Sequence, residues 1–189
     1  TSITIPGSVK KIVSRVFSSC TALKDVTIGN GVTWIERDAF RGCTGLYSLE
    51  IPANVTRIDC GAFRGCKNLE SITVPFVGAT KDGDENTHFG YIFGAETAAD
   101  NTKFVPTWLR TVVITGGTRI EEDAFAKCTN LTNVTLPEGL TKIGLRAFSD
   151  TEFIRARSLR MDGALYCGNY LISADGVKGE YVIRAGTVL

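Results

Sequence analysis

A short motif of apolar residues recurs along most of the chain. Phenylalanine, cysteine and leucine stand three residues apart in four places: Phe17/Cys20/Leu23, Phe40/Cys43/Leu46, Phe63/Cys66/Leu69 and Phe125/Cys128/Leu131. Successive phenylalanines from Phe17 to Phe63 are 23 residues apart, and Phe148 follows Phe125 at the same interval. A fixed period of this length indicates a repeat architecture, in which each unit is one small supersecondary element.

Each unit also carries a pattern that predicts a strand. After Leu46, for example, Leu49 and Ile51 stand two residues apart, which is the spacing of side chains on one face of a strand. A proline or glycine then ends the strand, at Gly29, Pro52, Pro75 and Pro137. The Ala-Phe-x-x-Cys stretch predicts one short helical or 3-10 turn.

These units together predict the fold. One unit of 23 residues cannot bury its apolar side chains alone, whereas stacked units can bury them in one continuous core. We therefore predict an α/β leucine-rich-repeat solenoid with 23-residue repeats, built from a parallel strand ladder and short helical or 3-10 turns.

The repeat also resembles a known family. Residues 48–58 (SLEIPANVTRI) and 61–66 (GAFRGC) resemble the BspA-type leucine-rich repeat, and residues 163–172 (GALYCGNYLI) resemble segments that recur in such proteins. The resemblance extends over nearly the whole chain. It implies a cell-surface or secreted protein, usually bacterial, whose repeats mediate adhesion or recognition. Any secretion signal or anchor is expected outside this sequence, because the first residues lack the features of a signal peptide.

The period is interrupted in the middle of the chain and fades towards its end. Phe63 and Phe125 are 62 residues apart, which is 16 more than two units require. We predict one domain over residues 1–189, with regular repeats at 1–74 and 108–160, an elaborated loop at 75–107 and a β-hairpin within 164–184. The hairpin is predicted to join strands at 166–172 and 180–183. Within the loop, Ile92 and Phe93 are predicted to replace the Ala-Phe step of the missing unit.

The predicted binding surface is the outer face of the stacked strands, with the loop as a second candidate. The predicted binding residues are Asp25, Thr27, Ser48, Glu50, Ser71, Thr73, Thr111, Val113, Asn133 and Thr135 on the strands, continued by Ala156 and Ser158, with His88 and Tyr91 in the loop. Serine and threonine at such positions also follow from strand propensity alone. Tyr47 and Trp34 are possible anchors that the pattern does not assign to a face.

Two functional hypotheses follow from this surface. In the first, the chain is a non-enzymatic recognition or adhesion module that binds a protein or glycan through the strand face or the inserted loop. In the second, it is a structural spacer that presents other domains of a longer surface protein. The sequence leaves the ligand and the oligomeric state open.

No catalytic residue, cofactor or metal is predicted. The chain has one histidine and lacks the glycine patterns of nucleophile elbows, phosphate-binding loops and dinucleotide-binding turns. Asp82, Asp84 and Asn86 offer oxygen ligands at alternate positions, as a calcium loop does. However, Thr87 stands where that template requires glycine and Phe93 where it requires glutamate, so a polar turn is the preferred interpretation.

Cysteines and charge change this interpretation little. Cys20, Cys43, Cys66 and Cys128 share one repeat position, which predicts a buried column of mostly reduced thiols because parallel side chains rarely meet disulfide geometry. The 21 Lys and Arg residues nearly balance 20 Asp and Glu, so nucleic acid is not an expected partner. No apolar run approaches the roughly 20 residues that span a bilayer, so no membrane insertion is expected.

Overall fold

The computed structural model describes residues 1–156, 160–161 and 163–174. Short strands and turns account for most of it. The strands are β1 (Ser2–Ile5), β2 (Lys11–Ile12), β3 (Asp25–Ile28), β4 (Trp34–Ile35), β5 (Ser48–Glu50), β6 (Arg57–Ile58), β7 (Ser71–Val74), β8 (Thr111–Ile114), β9 (Arg119–Ile120), β10 (Asn133–Thr135), β11 (Lys142–Ile143), β12 (Arg160–Met161), β13 (Ala164–Cys167) and β14 (Tyr170–Ser173). The helices are two 3-10 segments, Phe89–Phe93 and Ala98–Asp100, and two single-turn α-helices, α1 (Asn101–Phe104) and α2 (Glu152–Arg155).

A long parallel ladder takes one strand from each coil. β1 pairs with β3, and β5, β7, β8 and β10 pair in that order, while β3 lies beside β5. The register is constant, with Ser48 opposite Ser71 and Ser71 opposite Thr111. The long ladder therefore continues across the interruption in the sequence period.

A short parallel ladder of two-residue strands runs along a second side of the coils. It consists of β2, β4 and β6, followed after a gap by β9 and β11. In the gap, an isolated antiparallel bridge joins Arg57 to Thr80. The inserted residues therefore interrupt the short ladder and leave the long ladder intact.

The phenylalanines of the repeats stack through the core. The ring centroid of Phe40 lies 5.1 Å from that of Phe17 and 5.5 Å from that of Phe63, and those of Phe125 and Phe148 are 5.3 Å apart. All of these rings except Phe17 are fully or almost fully buried. Stacked parallel coils around a continuous core confirm the predicted solenoid.

Two positions in each regular coil have a left-handed backbone. One lies two residues before the phenylalanine and the other two residues after it, with φ between 54° and 74°. The positions before it are Arg15, Asp38, Gly61, Asp123 and Arg146, and those after it are Ser19, Gly42, Gly65, Lys127 and Asp150. Because only three of these ten residues are glycine, the coil geometry imposes the conformation even where the side chain disfavours it.

The interrupted coil is built around the 3-10 helix Phe89–Phe93. In regular coils the phenylalanine amide donates to the alanine carbonyl of the next coil, as Phe40 does to Ala62 (2.8 Å). Phe63 instead donates to the carbonyl of Ile92 (2.9 Å), which confirms the predicted role of Ile92 and Phe93. On the other side, the amide of Phe89 donates to Ala124 (2.8 Å), so one short helix serves both neighbouring coils.

Three local predictions need correction. Cys20 is exposed rather than buried, because no other described coil packs on its outer side, whereas Cys43, Cys66 and Cys128 are buried as predicted. Residues 166–172 form parts of two antiparallel strands, β13 and β14, that turn at Gly168 and Asn169. The strand predicted at 180–183 lies outside the described residues. Ala156 caps helix α2 instead of extending the strand face, and Ser158 is not among the described residues.

Candidate functional site

The outer side chains of the long ladder form one surface, which we call the strand face. In β5, Ser48 and Glu50 are exposed on either side of buried Leu49, and the other strands repeat this alternation. Of the predicted strand residues, Asp25, Thr27, Ser48, Glu50, Asn133 and Thr135 are exposed, and Ser71, Thr73, Thr111 and Val113 are half-exposed. The ladder thus brings all ten together, in rows about 4.8 Å apart.

A column of side chains borders the strand face where the strands begin, and we call it the edge column. It consists of Lys24, Tyr47, Glu70, Arg110 and Thr132. The amide of Glu70 donates to the carbonyl of Tyr47 (2.8 Å) and that of Arg110 to Glu70 (2.9 Å), so these residues stack from coil to coil. Tyr47 is 53% exposed, and an exposed aromatic side chain beside a polar face is typical of binding surfaces.

Trp34 lies on the short ladder and has a structural role. The ammonium of Lys11 lies 4.0 Å from the centroid of the indole ring, and the guanidinium carbon of Arg57 lies 4.3 Å from it. The indole N–H donates to the carboxylate of Asp59 (3.0 Å). Both cations and the indole N–H are therefore engaged within the short ladder, which favours a stabilising role over ligand binding.

The two loop residues predicted to bind, His88 and Tyr91, do not lie on the strand face. His88 is only 8% exposed, its Nε2 lies 3.2 Å from the carbonyl oxygen of Ala95, and burial lowers its pKa. The ring of Tyr91 packs edge-on against the imidazole, and burial raises the pKa of its phenol. His88 thus helps to pack the loop and is poorly accessible to a surface ligand.

The acidic tip of the loop is fixed to the next coil. The Asp82 carboxylate accepts hydrogen bonds from the amide (2.6 Å) and the hydroxyl (3.0 Å) of Thr118. Asp84 forms an ion pair with Arg119, and the carbonyl of Asn86 accepts from the amide of Ala79 (3.0 Å). The carboxylates therefore act as acceptors within the chain. Among the described residues, no group of three or more His, Cys, Asp or Glu side chains is arranged to hold a metal ion.

Asn101 is a structural residue that the sequence pattern did not reveal. It is fully buried, its Oδ1 accepts from the amide of Gly90 (2.9 Å), and its Nδ2 donates to the carbonyl of Ala126 (2.8 Å). In a regular coil the corresponding carbonyl receives a backbone amide, as Arg64 does from Gly42 (2.7 Å). The Asn101 side chain therefore replaces a backbone group of the interrupted coil. A single asparagine in a non-repeating loop gives no periodic signal of this role.

The buried thiols are poor nucleophiles. Burial raises the pKa of Cys43 to about 11 and that of Cys66 to about 12. Both thiols donate to carbonyls of the preceding coil, Cys43 to Phe17 (3.1 Å) and Cys66 to Phe40 (3.2 Å). Because the thiolate is the reactive form, these two cysteines are suited to core packing rather than to catalysis.

Comparisons with solved structures identify similar repeat proteins. The chain is similar to a leucine-rich repeat protein of T. pallidum, at 20% identity and a TM-score of 0.52, over 80% of this chain and 64% of that one. It is also similar to a leucine-rich repeat protein from Eubacterium ventriosum, at 24% identity and a TM-score of 0.56, over 86% of this chain and 46% of that one. The chain therefore spans less than two thirds of either protein. At these identities the likeness shows the fold alone.

Comparison with sequence families gives a more specific result. No curated protein sequence matches the chain. The family description "BspA type Leucine rich repeat region" matches residues 1–81 and 100–165, in six copies. This match covers well over half of the sequence and leaves out most of the inserted loop. The chain therefore belongs to the BspA-type leucine-rich-repeat family.

Proposed function

We propose that the chain is a non-enzymatic recognition module that binds a protein or glycan through the strand face. The observation that carries this proposal is the constant register of the long ladder, which aligns small polar side chains on one exposed surface beside Tyr47. Such a surface is already ordered before a ligand arrives, so binding requires little loss of conformational entropy. Its hydroxyl groups can donate to and accept from either peptide or sugar groups.

Membership of the family supports a location at the cell surface or outside the cell, where recognition would serve adhesion. In the part of the chain that the structure describes, no helix is long and apolar enough to cross a membrane. The proposal therefore concerns the strand face as a module within a surface or secreted protein, and its partner is a protein or a glycan.

Arginine substitutions on the strand face test the proposal. Thr27→Arg, Ser71→Arg and Thr135→Arg each add a long charged side chain to a different strand of the face. Ala53→Arg is the matched control, because Ala53 is exposed in the turn after β5 and lies outside the strand face. Each variant would be immobilised and probed by surface plasmon resonance against matrix proteins and polysaccharides. We expect the parent chain and the control to bind at least one ligand saturably, with at least tenfold weaker binding by the strand-face variants.

Two results would contradict the proposal. If none of the ligands binds saturably to a chain that circular dichroism shows to be folded, the spacer hypothesis is favoured. If a ligand binds but all four variants retain it equally, the binding surface lies elsewhere. Surface substitutions usually change stability by less than about 0.5 kcal/mol, so a loss of binding is separable from a loss of folding.

A further inference from the structure

We propose a second binding site, separate from the strand face, that takes a carboxylated saccharide. It is a groove between the turn at residues 64–68 of the third coil and residues 103–108 of the insertion, and we call it the loop groove. Its volume is about 520 Å³. Sites for small ligands measure roughly 300–1,000 Å³. The loop groove therefore has the size of a site for a small ligand such as a short saccharide.

The loop groove opens where one coil-to-coil hydrogen bond is missing. In regular coils the amide two residues after the phenylalanine donates to the next coil, as Gly42 does to the carbonyl of Arg64 (2.7 Å). The equivalent amide in the third coil is that of Gly65, and no acceptor for it is found in the described part of the chain. The carbonyl that it would meet, that of Gly94, accepts from the guanidinium of Arg64 (3.2 Å) instead. The Gly65 amide is thus left as a free donor at the groove.

The charges around the loop groove favour an anion. Three of the lining residues, Arg64, Lys67 and Lys103, are cationic, and none of the lining residues is acidic. Lys103 is paired with Asp100 (2.9 Å), and the guanidinium of Arg64 lies over the ring of Phe104. Lys67 is exposed and forms no ion pair with any described residue. A carboxylate can therefore accept charge-assisted hydrogen bonds from Lys67 and a further bond from the Gly65 amide.

An exposed aromatic ring supplies the second element of the site. Trp108 lines the loop groove and is 60% exposed, and its indole N–H has no partner among the described residues. A flat indole ring offers apolar area at low entropic cost, and its N–H can bond a hydroxyl. A carboxylated pyranose ring can use both elements, with its apolar face on Trp108 and its carboxylate at Lys67. A neutral sugar would leave Lys67 without a partner, and a peptide made of glutamate alone would have no ring to place on the indole.

Calorimetric titration of the whole chain with short saccharides tests this inference. The probes are trisaccharides that carry galacturonate, glucuronate or sialate, with maltotriose as the neutral reference and a glutamate tripeptide as the acidic peptide. We expect at least one acidic trisaccharide to bind at least tenfold more tightly than maltotriose. Trp108→Ala and Lys67→Gln should each weaken this binding at least tenfold. The matched controls Leu145→Ala and Lys10→Gln, both exposed and outside the loop groove, the strand face and the edge column, should not change it.

The inference is overturned if no acidic trisaccharide binds better than maltotriose, or if binding is indifferent to both Trp108→Ala and Lys67→Gln. It is also overturned if the glutamate tripeptide binds as tightly as the best saccharide and depends on Lys67 alone, since the loop groove would then be a site for acidic peptides. Ser71→Arg on the strand face distinguishes the two sites, because saccharide binding at the loop groove should persist in this variant. Saccharide binding that is lost in Ser71→Arg and kept in Trp108→Ala belongs to the strand face and overturns the inference.

Discussion

At the scale of single residues, Asn101 carries hydrogen bonds that the backbone makes elsewhere in the array. Replacing it by leucine keeps a similar volume but leaves the amide of Gly90 and the carbonyl of Ala126 buried without these partners. We expect Asn101→Leu to lower the free energy of unfolding by about 2–4 kcal/mol, since each unsatisfied buried group costs about 1–3 kcal/mol. Urea denaturation would measure the loss. Asn54→Leu, at an exposed turn, is the control, and an equal loss in both variants would contradict the role of Asn101.

The left-handed positions predict a stabilising substitution. Lys127 has φ +61°, a conformation that costs an ordinary residue about 1–2 kcal/mol, whereas glycine adopts it freely. Glycine also loses about 0.5–1 kcal/mol more conformational entropy on folding, so the net gain from Lys127→Gly should be about 0.5–1 kcal/mol. Thermal unfolding would detect it as a higher Tm. Lys24→Gly, which lies outside these positions, should lower the Tm, and a lower Tm in both variants would contradict the prediction.

The buried thiols predict a loss of stability at alkaline pH. Burial raises the pKa of Cys66 from 9.0 to about 12, so the unfolded chain loses this proton at lower pH than the folded chain. The contribution of Cys66 is fully present below pH 9 and decreases as the pH rises from 9 towards 12. We expect the free energy of unfolding to fall between pH 8 and 10.5, and to fall less in Cys66→Val. Urea denaturation at both pH values would measure the free energy of unfolding. An equal decrease between pH 8 and 10.5 in the two proteins would exclude Cys66 as a cause.

At the scale of elements, the insertion is part of the core. Phe89, Ile92 and Phe93 are buried within it, whereas the tip from Asp82 to Asn86 is largely exposed. Replacing residues 81–106 by a short Gly/Ser linker should therefore unfold the chain or lower its Tm sharply. Replacing only residues 83–85 by glycines should cost about 1 kcal/mol or less, because Asp82 and its bonds to Thr118 remain. Circular dichroism would measure the Tm of both variants and of the parent chain. A linker variant with the Tm of the parent chain would show that the insertion is dispensable.

How far the sequence predicts each element depends on whether its contacts repeat. The alternation around Leu49 recurs in every strand of the long ladder, so the solenoid and the strand face are predictable from the period alone. The role of Ile92 follows from the spacing as well. Asn101, Phe89 and the loop groove depend on contacts that occur once, so no repeating pattern predicts them. The sequence likewise predicts His88 at a binding surface, although the side chain is buried. Gly168 and Asn169 form a recognisable turn signal, but the apolar residues on both sides of them also favour one continuous strand.

At the scale of the whole molecule, the insertion couples the coils before it to those after it. The rings of Phe63 and Phe93 are 6.5 Å apart, those of Phe93 and Phe89 5.5 Å, and those of Phe89 and Phe125 4.9 Å, so the core stack is continuous. In a repeat protein, cooperative unfolding depends on such interfaces between neighbouring units. We expect one unfolding transition for the parent chain.

Phe89→Ala tests this coupling, because it removes the ring that contacts Phe125. We expect two calorimetric transitions in this variant, and hydrogen exchange should assign them to residues on either side of the insertion. Phe40→Ala, within the regular coils, is the matched control because it also removes a buried ring. It should lower the free energy of unfolding by about 3–5 kcal/mol without separating the coils on either side of the insertion. A single transition in Phe89→Ala would show that the long ladder alone couples the coils.

The unbroken register of the long ladder limits what an insertion in one coil can change. Ser71 faces Thr111 directly although 39 residues separate them in the sequence. Distances along the strand face are therefore set by the number of coils rather than by the number of residues. A polymer with evenly spaced groups would meet the same spacing before and after the insertion. Residues can therefore be inserted on the side of the short ladder, and form new contacts there, while the spacing of groups on the strand face stays constant.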